Sequence, residues 1–261
     1  MSLLDGSCNR TVRYAADDRR ALAESCDTSD HRSGKNRYNF LHPVDLDAAR
    51  LRDPFLFDLV TSVPFSRLAS VRFLGALDYV FVPSPNGAPR NKRHTRHSHS
   101  LGVLHLATVF ADAVELDERT RRPVLAAALL HDIGHAPFSH TLEPFFEKNF
   151  QVNHHKTTLD VVTGERHTDG EIPRILEGHG IDPAEVATIL GGERDPTGGF
   201  FSGPINFDTI EAILRSCTYL RKPRYVPNPV GVLMAAIERS SEDDQVTVDH
   251  FWHLKDIVYK Y

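Results

Sequence analysis

The run Leu125-Ala-Ala-Ala-Leu-Leu-His-Asp-Ile-Gly-His135 closes an uninterrupted apolar segment on an imidazole and a carboxylate standing side by side. Burying such a pair is expensive unless something cationic compensates it, and a divalent metal is the usual compensator. The apolar half therefore belongs in a core, and its last residues belong at a polar or metal-holding site. A His-Asp pair at an exposed helix end would carry little meaning, so its partners elsewhere in the chain decide between the two readings.

The chain of 261 residues, 41% hydrophobic and 25% charged, has globular composition and can bury a sizeable core. Cys8, Cys26 and Cys217 are too few and too scattered for a disulfide framework, so a reducing, cytoplasmic setting is expected. No stretch approaches the roughly 18 consecutive apolar residues of a membrane helix, which predicts a soluble protein with no membrane partner. A formal net charge of -5 speaks against duplex nucleic-acid binding. Yet Arg90-Asn-Lys-Arg-His-Thr-Arg-His-Ser-His99 concentrates four Arg/Lys and three His in ten residues. Such a stretch is either a solvated loop or a local cationic pocket, and a pocket of that kind suits a small anionic ligand.

Residues 1–37 mix Asp, Arg, Ser and Gly without periodicity and read as a loose leader, with a single domain over 38–261. Asp53-Pro54 sets a cap and a first-turn proline before Phe-Leu-Phe-Asp-Leu-Val, and Pro64 opens a second short helix. Leu77-Asp-Tyr-Val-Phe-Val82, stopped by Pro83, is the best strand candidate and predicts a small β-hairpin near residues 77–83. From Ser98 to about Leu116 the apolar residues Leu101, Leu104, Ala107, Ala111 and Val114 recur at helical spacing, and Val103, Leu106 and Phe110 fill much of the remaining surface. A helix apolar nearly all round is a central one. Pro123 is expected to open the next helix, leaving His131-Asp132 at its C-terminal end before Gly134. Further helices are expected at 138–148, 155–163, 171–178, 183–190, 207–220, 229–239 and 248–259, with the glycine-rich loop 191–203 between them. The fold class expected is an all-α bundle.

His99, His131, Asp132 and Asp208 make a coherent ligand set. A shell of imidazoles and carboxylates suits Fe, Mn, Zn, Ni or Mg and leaves coordination positions open, the mark of a catalytic site. At this point the sequence resembles the HD-domain metal-dependent phosphohydrolases, whose signature is a His, then a His-Asp pair, then a distant Asp. Arg96-His-Ser-His99-Ser-Leu-Gly-Val103 and His131-Asp-Ile-Gly-His-Ala-Pro-Phe-Ser-His140 look like blocks of the deoxynucleoside triphosphate triphosphohydrolase branch. Pro64-Phe-Ser-Arg-Leu-Ala-Ser-Val-Arg-Phe-Leu-Gly75 is similar to the stretch before that branch's nucleotide-contacting hairpin, and the core motifs together span 64–216.

The resemblance implies a helical HD bundle, a divalent cation on those four residues, further Mg or Mn arriving with the substrate, and a homo-oligomer of at least two subunits. It also implies that Arg96, His135 and Arg215 contact substrate phosphates. His155 would be the general acid, oriented by Glu143, with His154 its rival and His140 in support. The implied reaction attacks the α-phosphorus of a dNTP and releases nucleoside plus triphosphate. This chain departs from the branch's pattern at the sugar end: Thr209 removes a phosphate-binding cation, Ala212 a tyrosine that packs on the sugar, Ser216 replaces an acid, and Phe73 stands where a glutamine is common. A pocket so altered should discriminate less well for deoxyribose. Two other readings stand beside this one. In one, His155 and His179 join a second metal, as in phosphodiesterase relatives, or the enzyme is a nucleoside monophosphate phosphatase; in the other, a non-catalytic module senses nucleotides.

Overall fold

Capping side chains set where the helices start. Asp53 accepts the Phe55 N–H and places Pro54 at the head of α1 (Pro54–Thr61), and Ser62 caps α2 (Val63–Ser66), which runs on as a 3-10 turn over Arg67–Ser70. The structure is a computed structural model that describes residues 53–75, 94–165, 170–220 and 226–260. The expected leader, residues 90–93 of the basic stretch and the expected hairpin near 77–83 lie outside the described residues.

Thr95 and Ser98 form a capping box that starts α3 (Arg96–Ala113), two residues earlier than the apolar periodicity suggests. Its buried residues surround the helix, Leu101, Val103, Leu104, Leu106, Ala107, Phe110 and Ala111 among them, so α3 is the central helix. Against it pack α4 (Glu118–Leu130), α9 (Phe207–Leu220) and α10 (Pro229–Glu238). Around that centre lie α5 (Glu143–Phe150), α6 (His154–Thr163), α7 (Glu171–Gly178), α8 (Pro183–Leu190) and α11 (Glu242–Tyr259). The described residues are all-α, and the two segments flanking the expected hairpin meet through one isolated antiparallel bridge, Arg72 to Thr95.

Pro123 does not open α4. Asp117 does, accepting the Thr120 N–H at 3.1 Å, and the proline falls inside the helix. A good N-cap six residues upstream outweighs a proline's preference for the first turn. The helix expected at 138–148 divides: Phe138 adopts a left-handed conformation (φ 66°), a 3-10 turn covers Ser139–Thr141, and α5 begins only at Glu143. The last helix starts six residues before its expected 248, because Ser241 and Asp244 form a second capping box.

The position of the His-Asp turn relative to α6 rests on Gly134. A Cβ there would come closer than 3.0 Å to the His154 carbonyl, the Thr158 backbone nitrogen and the Thr158 hydroxyl. In the space that glycine leaves, its own N–H donates to Thr158 Oγ1 at 3.0 Å, and Thr158 Oγ1 donates to the His131 carbonyl at 3.2 Å. Two of the three obstructing atoms are backbone and cannot swing aside. Gly134→Ala is therefore expected to destabilise the protein by about 1–3 kcal/mol through overpacking, measured by urea denaturation; an unchanged midpoint would contradict the close approach.

Candidate metal centre

Four side chains from three chain segments converge on one point. His99 lies one turn into α3, His131 and Asp132 follow the last residue of α4, and Asp208 is the second residue of α9, whose first turn is fixed by Asn206 accepting the Thr209 N–H at 2.7 Å. One donor atom each of His99, His131 and Asp208 lies within 4.8 Å of the others. His99 Nε2 is 3.0 Å from Asp208 Oδ1 and 3.2 Å from His131 Nε2. Asp132 completes the group, with Oδ2 3.6 Å from His99 Nε2 and Oδ1 3.5 Å from His131 Nε2.

The outer nitrogens test whether these residues fit a cation. His131 Nδ1 donates to the Ala128 carbonyl at 2.9 Å, and His99 Nδ1 donates to Glu211, so in the neutral rings both Nε2 lone pairs point inward. Two bare imidazole nitrogens facing each other beside two carboxylates repel unless a proton or a metal ion sits among them. The donor set thus fits a divalent cation of the Fe, Mn, Zn, Ni or Mg group and does not choose among them. Without an ion the proton takes its place: burial lowers the His99 pKa, but Glu211, Asp208 and Asp132 together raise it to about 9.

Asp132, 4% exposed, is the buried anion of the group. Burial pushes its carboxyl up, and Arg96, His131 and His135 outweigh that and hold it well below the usual carboxylate range. Arg96, itself 5% exposed, donates from Nη1 to Asp132 Oδ2 at 2.7 Å. Its guanidinium also lies 5.1 Å above the Phe73 ring, and that ring packs on His99 at 4.8 Å between centroids. Phe73, at a position where the resemblance implies a polar contact to the base or sugar, here supports a metal ligand and an arginine.

Beside this centre lies a second histidine group. His135 is 1% exposed, its ring stacks on His154 at 4.1 Å and 12°, and burial lowers its pKa to about 4, so it is neutral at pH 7. His135 Nε2 is 3.2 Å from Asp132 Oδ1 yet makes no properly directed hydrogen bond. His140 stands perpendicular to both rings, and one nitrogen each of His135, His140 and His154 lies within 4.8 Å of the others.

Three expectations are corrected here. Glu143 pairs with His154 and His140, not with His155: it accepts the His154 N–H at 2.9 Å, bonds the His154 ring, and receives His140 Nδ1 at 3.0 Å. Burial raises the Glu143 pKa, but these bonds bring it down to about 2. His155 is exposed and touches the group only through the His154 ring, because Asn153 caps α6 and directs the first of the two histidines inward. Arg215 is not available to a phosphate. All five of its N–H groups are taken, by Glu211, His94, Ser98 Oγ and the Ser98 carbonyl. His179 bonds Asp58 at 2.8 Å, packs on Phe55, and joins neither histidine group.

The sequence reading also missed a tie. Arg67 donates to the Ile133 and His135 carbonyls at 2.7 and 2.8 Å, clamping the turn that carries Asp132 from 66 and 68 residues upstream. A guanidinium at the carbonyl end of a helix satisfies orphan acceptors and complements the dipole. Its only trace in the sequence is an arginine in the segment 64–75, without a pattern to name its partner.

The sequence pattern of the HD domain matches residues 96–196. YwfO of Bacillus subtilis is 36% identical over 174 residues, covering 65% of this chain and 37% of that protein. The deoxynucleoside triphosphate triphosphohydrolase SAMHD1 of Gallus gallus is 30% identical over 161 residues, covering 55% of this chain and 24% of that protein. This chain thus spans 37% of the length of the first of these relatives and 24% of the second. Its fold is similar to the crystal structure of a phosphohydrolase from Bacteroides thetaiotaomicron, with a TM-score of 0.60 at 21% identity over 78% of this chain and 49% of that one. With the His, His-Asp and Asp residues gathered on one point inside a helical bundle, the chain carries an HD domain over residues 96–196, and its metal-ligand pattern is that of the metal-dependent phosphohydrolases.

Proposed function

We propose that the chain is a metal-dependent phosphohydrolase acting on a nucleotide, and that its favoured reaction splits a dNTP into deoxynucleoside and triphosphate. One observation carries the reading: two inward-facing Nε2 atoms and two carboxylates share a point with a buried arginine on one side and a neutral buried histidine on the other. The relatives named as deoxynucleoside triphosphate triphosphohydrolases support the choice of substrate.

His99, His131, Asp132 and Asp208 would hold the cation, which when bound supplies positive charge to a phosphoryl oxygen and lowers the pKa of water from 15.7 toward about 7. Arg96 keeps Asp132 ionised and adds a fixed cation beside the reacting group. His135, neutral and with Nε2 unpartnered, can donate to or accept from a phosphate oxygen without first losing a bond. Glu143 holds His154 by Nδ1, which leaves Nε2 of that ring to carry the proton for a leaving oxygen. His154 thus takes the acid role that the resemblance implies for His155.

A second reading has specific support. The three nitrogens of His135, His140 and His154 within 4.8 Å are themselves a possible cation site, which would make the centre dinuclear and favour phosphodiester cleavage. Metal analysis near two ions per chain would support it.

Asp132→Ala is expected to lose the bound metal and about 10²–10³-fold of activity, the range seen when a charge-stabilising group is removed. Mass analysis of products should find triphosphate; phosphate or pyrophosphate alone would reject the triphosphohydrolase reaction, and activity indifferent to the substitution would reject the metal site.

His154→Gln is expected to lower kcat by about 10²–10⁴-fold, while His155→Gln changes it by no more than a few-fold. Steady-state kinetics on both variants decide between the two rings.

In the metal-free protein the two perturbed histidines act in opposite directions. His99, raised to about 9, binds more protons folded than unfolded above its ordinary pKa, so its contribution falls as pH rises from about 6.5 to 9. His135, lowered to about 4, binds fewer, so its contribution is lost as pH falls from about 6.5 to 4. Urea denaturation in chelator is expected to show greatest stability near pH 6.5, with the acid limb flattened in His135→Gln; an acid limb unchanged by that substitution would contradict the assignment.

A further inference from the structure

A fully enclosed carboxylate stands behind the metal centre and is not used by the mechanism above. Glu211 and His99 are both 0% exposed, and Glu211 lies one turn after Asp208 on α9. Its Oε2 meets His99 Nδ1, while its Oε1 accepts Arg215 Nε at 2.7 Å and Arg215 Nη2. Arg215 is in turn anchored to α3 by the Ser98 carbonyl at 2.9 Å and to His94 at 2.8 Å. The guanidinium therefore fixes which oxygen of Glu211 faces which partner.

The carboxylate reaches His99 because α3 has a notch where it passes. Gly102, three residues after His99, sits mid-helix, where glycine costs about 0.5–1 kcal/mol relative to alanine. A Cβ at that position would come closer than 3.0 Å to Oε1, Cδ and Cγ of Glu211. A helix built to be apolar all round thus gives up a side chain at the place where a carboxylate must enter.

We propose that Glu211 is a positioning residue for the metal centre: by accepting the Nδ1 proton of His99 it fixes the tautomer that leaves Nε2 bare toward Asp208 and His131, and Gly102 is glycine to admit it. The inference rests on the metal-site reading. An ion pair with Arg215 serving stability alone would not need the second oxygen on His99.

Glu211→Gln separates the two roles. If the amide oxygen keeps its bonds to Arg215, the NH2 faces His99 Nδ1, which must then accept and carry its proton on Nε2, where the metal would bind. If the amide is reversed, its NH2 confronts the Arg215 donors. Neither orientation preserves both contacts, although size and shape barely change.

The test uses zinc as the probe ion on the full chain, with affinity measured by chelator competition and the His99 ring read by ¹⁵N NMR of the zinc-loaded protein. The unsubstituted protein should show the His99 proton on Nδ1, and Glu211→Gln and Gly102→Ala should each bind zinc about 10–100-fold more weakly. Thermal unfolding of the metal-free variants reports whether they fold. If Glu211→Gln does not, Gly102→Ala and the spectrum of the unsubstituted protein still decide. A proton on Nε2 in that spectrum, or parental zinc affinity in either folded variant, overturns the proposal while leaving the metal site intact. Failure of the unsubstituted protein to bind zinc, manganese or iron overturns the metal reading itself, and the proposal with it.

Discussion

A carboxylate held almost entirely out of water, Asp132, is the constraint on which the rest of the arrangement depends. An isolated buried carboxylate would take up a proton rather than bear the desolvation. Here Arg96 meets one oxygen at 2.7 Å, and His99, His131 and His135 place nitrogens within 3.6 Å of one or the other. Each compensating group must itself be supported, and the supports account for much of the interior: Glu211 behind His99, the Ala128 carbonyl behind His131, the His154 ring against His135 and Phe73 beneath Arg96. The apolar bundle around them makes the site work, because a water-filled cleft would screen every one of these interactions.

The metal end was legible because it is written in residue types that are costly to bury and spaced by helical turns. The Thr95 and Ser98 capping box places His99 and Asn206 places Asp208, through local capping that a sequence displays, while His131-Asp132 directly follows the apolar run of α4. The helices over 183–190 and 207–220 have their expected limits for the same reason, starting at Asp182 and Asn206.

What failed were choices between equivalent neighbours and the destinations of long side chains. His154 and His155 are adjacent and chemically identical; only the rotation of α6, set by the Asn153 cap and the space over Gly134, turns the first inward. Arg215 reads as a cation available to phosphate, since nothing in the sequence says that four acceptor atoms on Glu211, His94 and Ser98 consume its donors. Pro123 carried a rule about first turns that a nearby Asp117 overrode. In each case the deciding contact was tertiary or lay one cap away.

The clamp from Arg67 to the Ile133 and His135 carbonyls also bears on how the molecule assembles. Together with Arg96 to Asp132, 36 residues apart, and His99 to Glu211, 112 apart, it ties the centre to segments distant in the chain. Individual helices form from local contacts quickly, whereas each of these ties closes a long loop and must wait for the helices it joins. A chain that kept every helix but lost these ties would keep its helical content and lose the geometry that holds an ion.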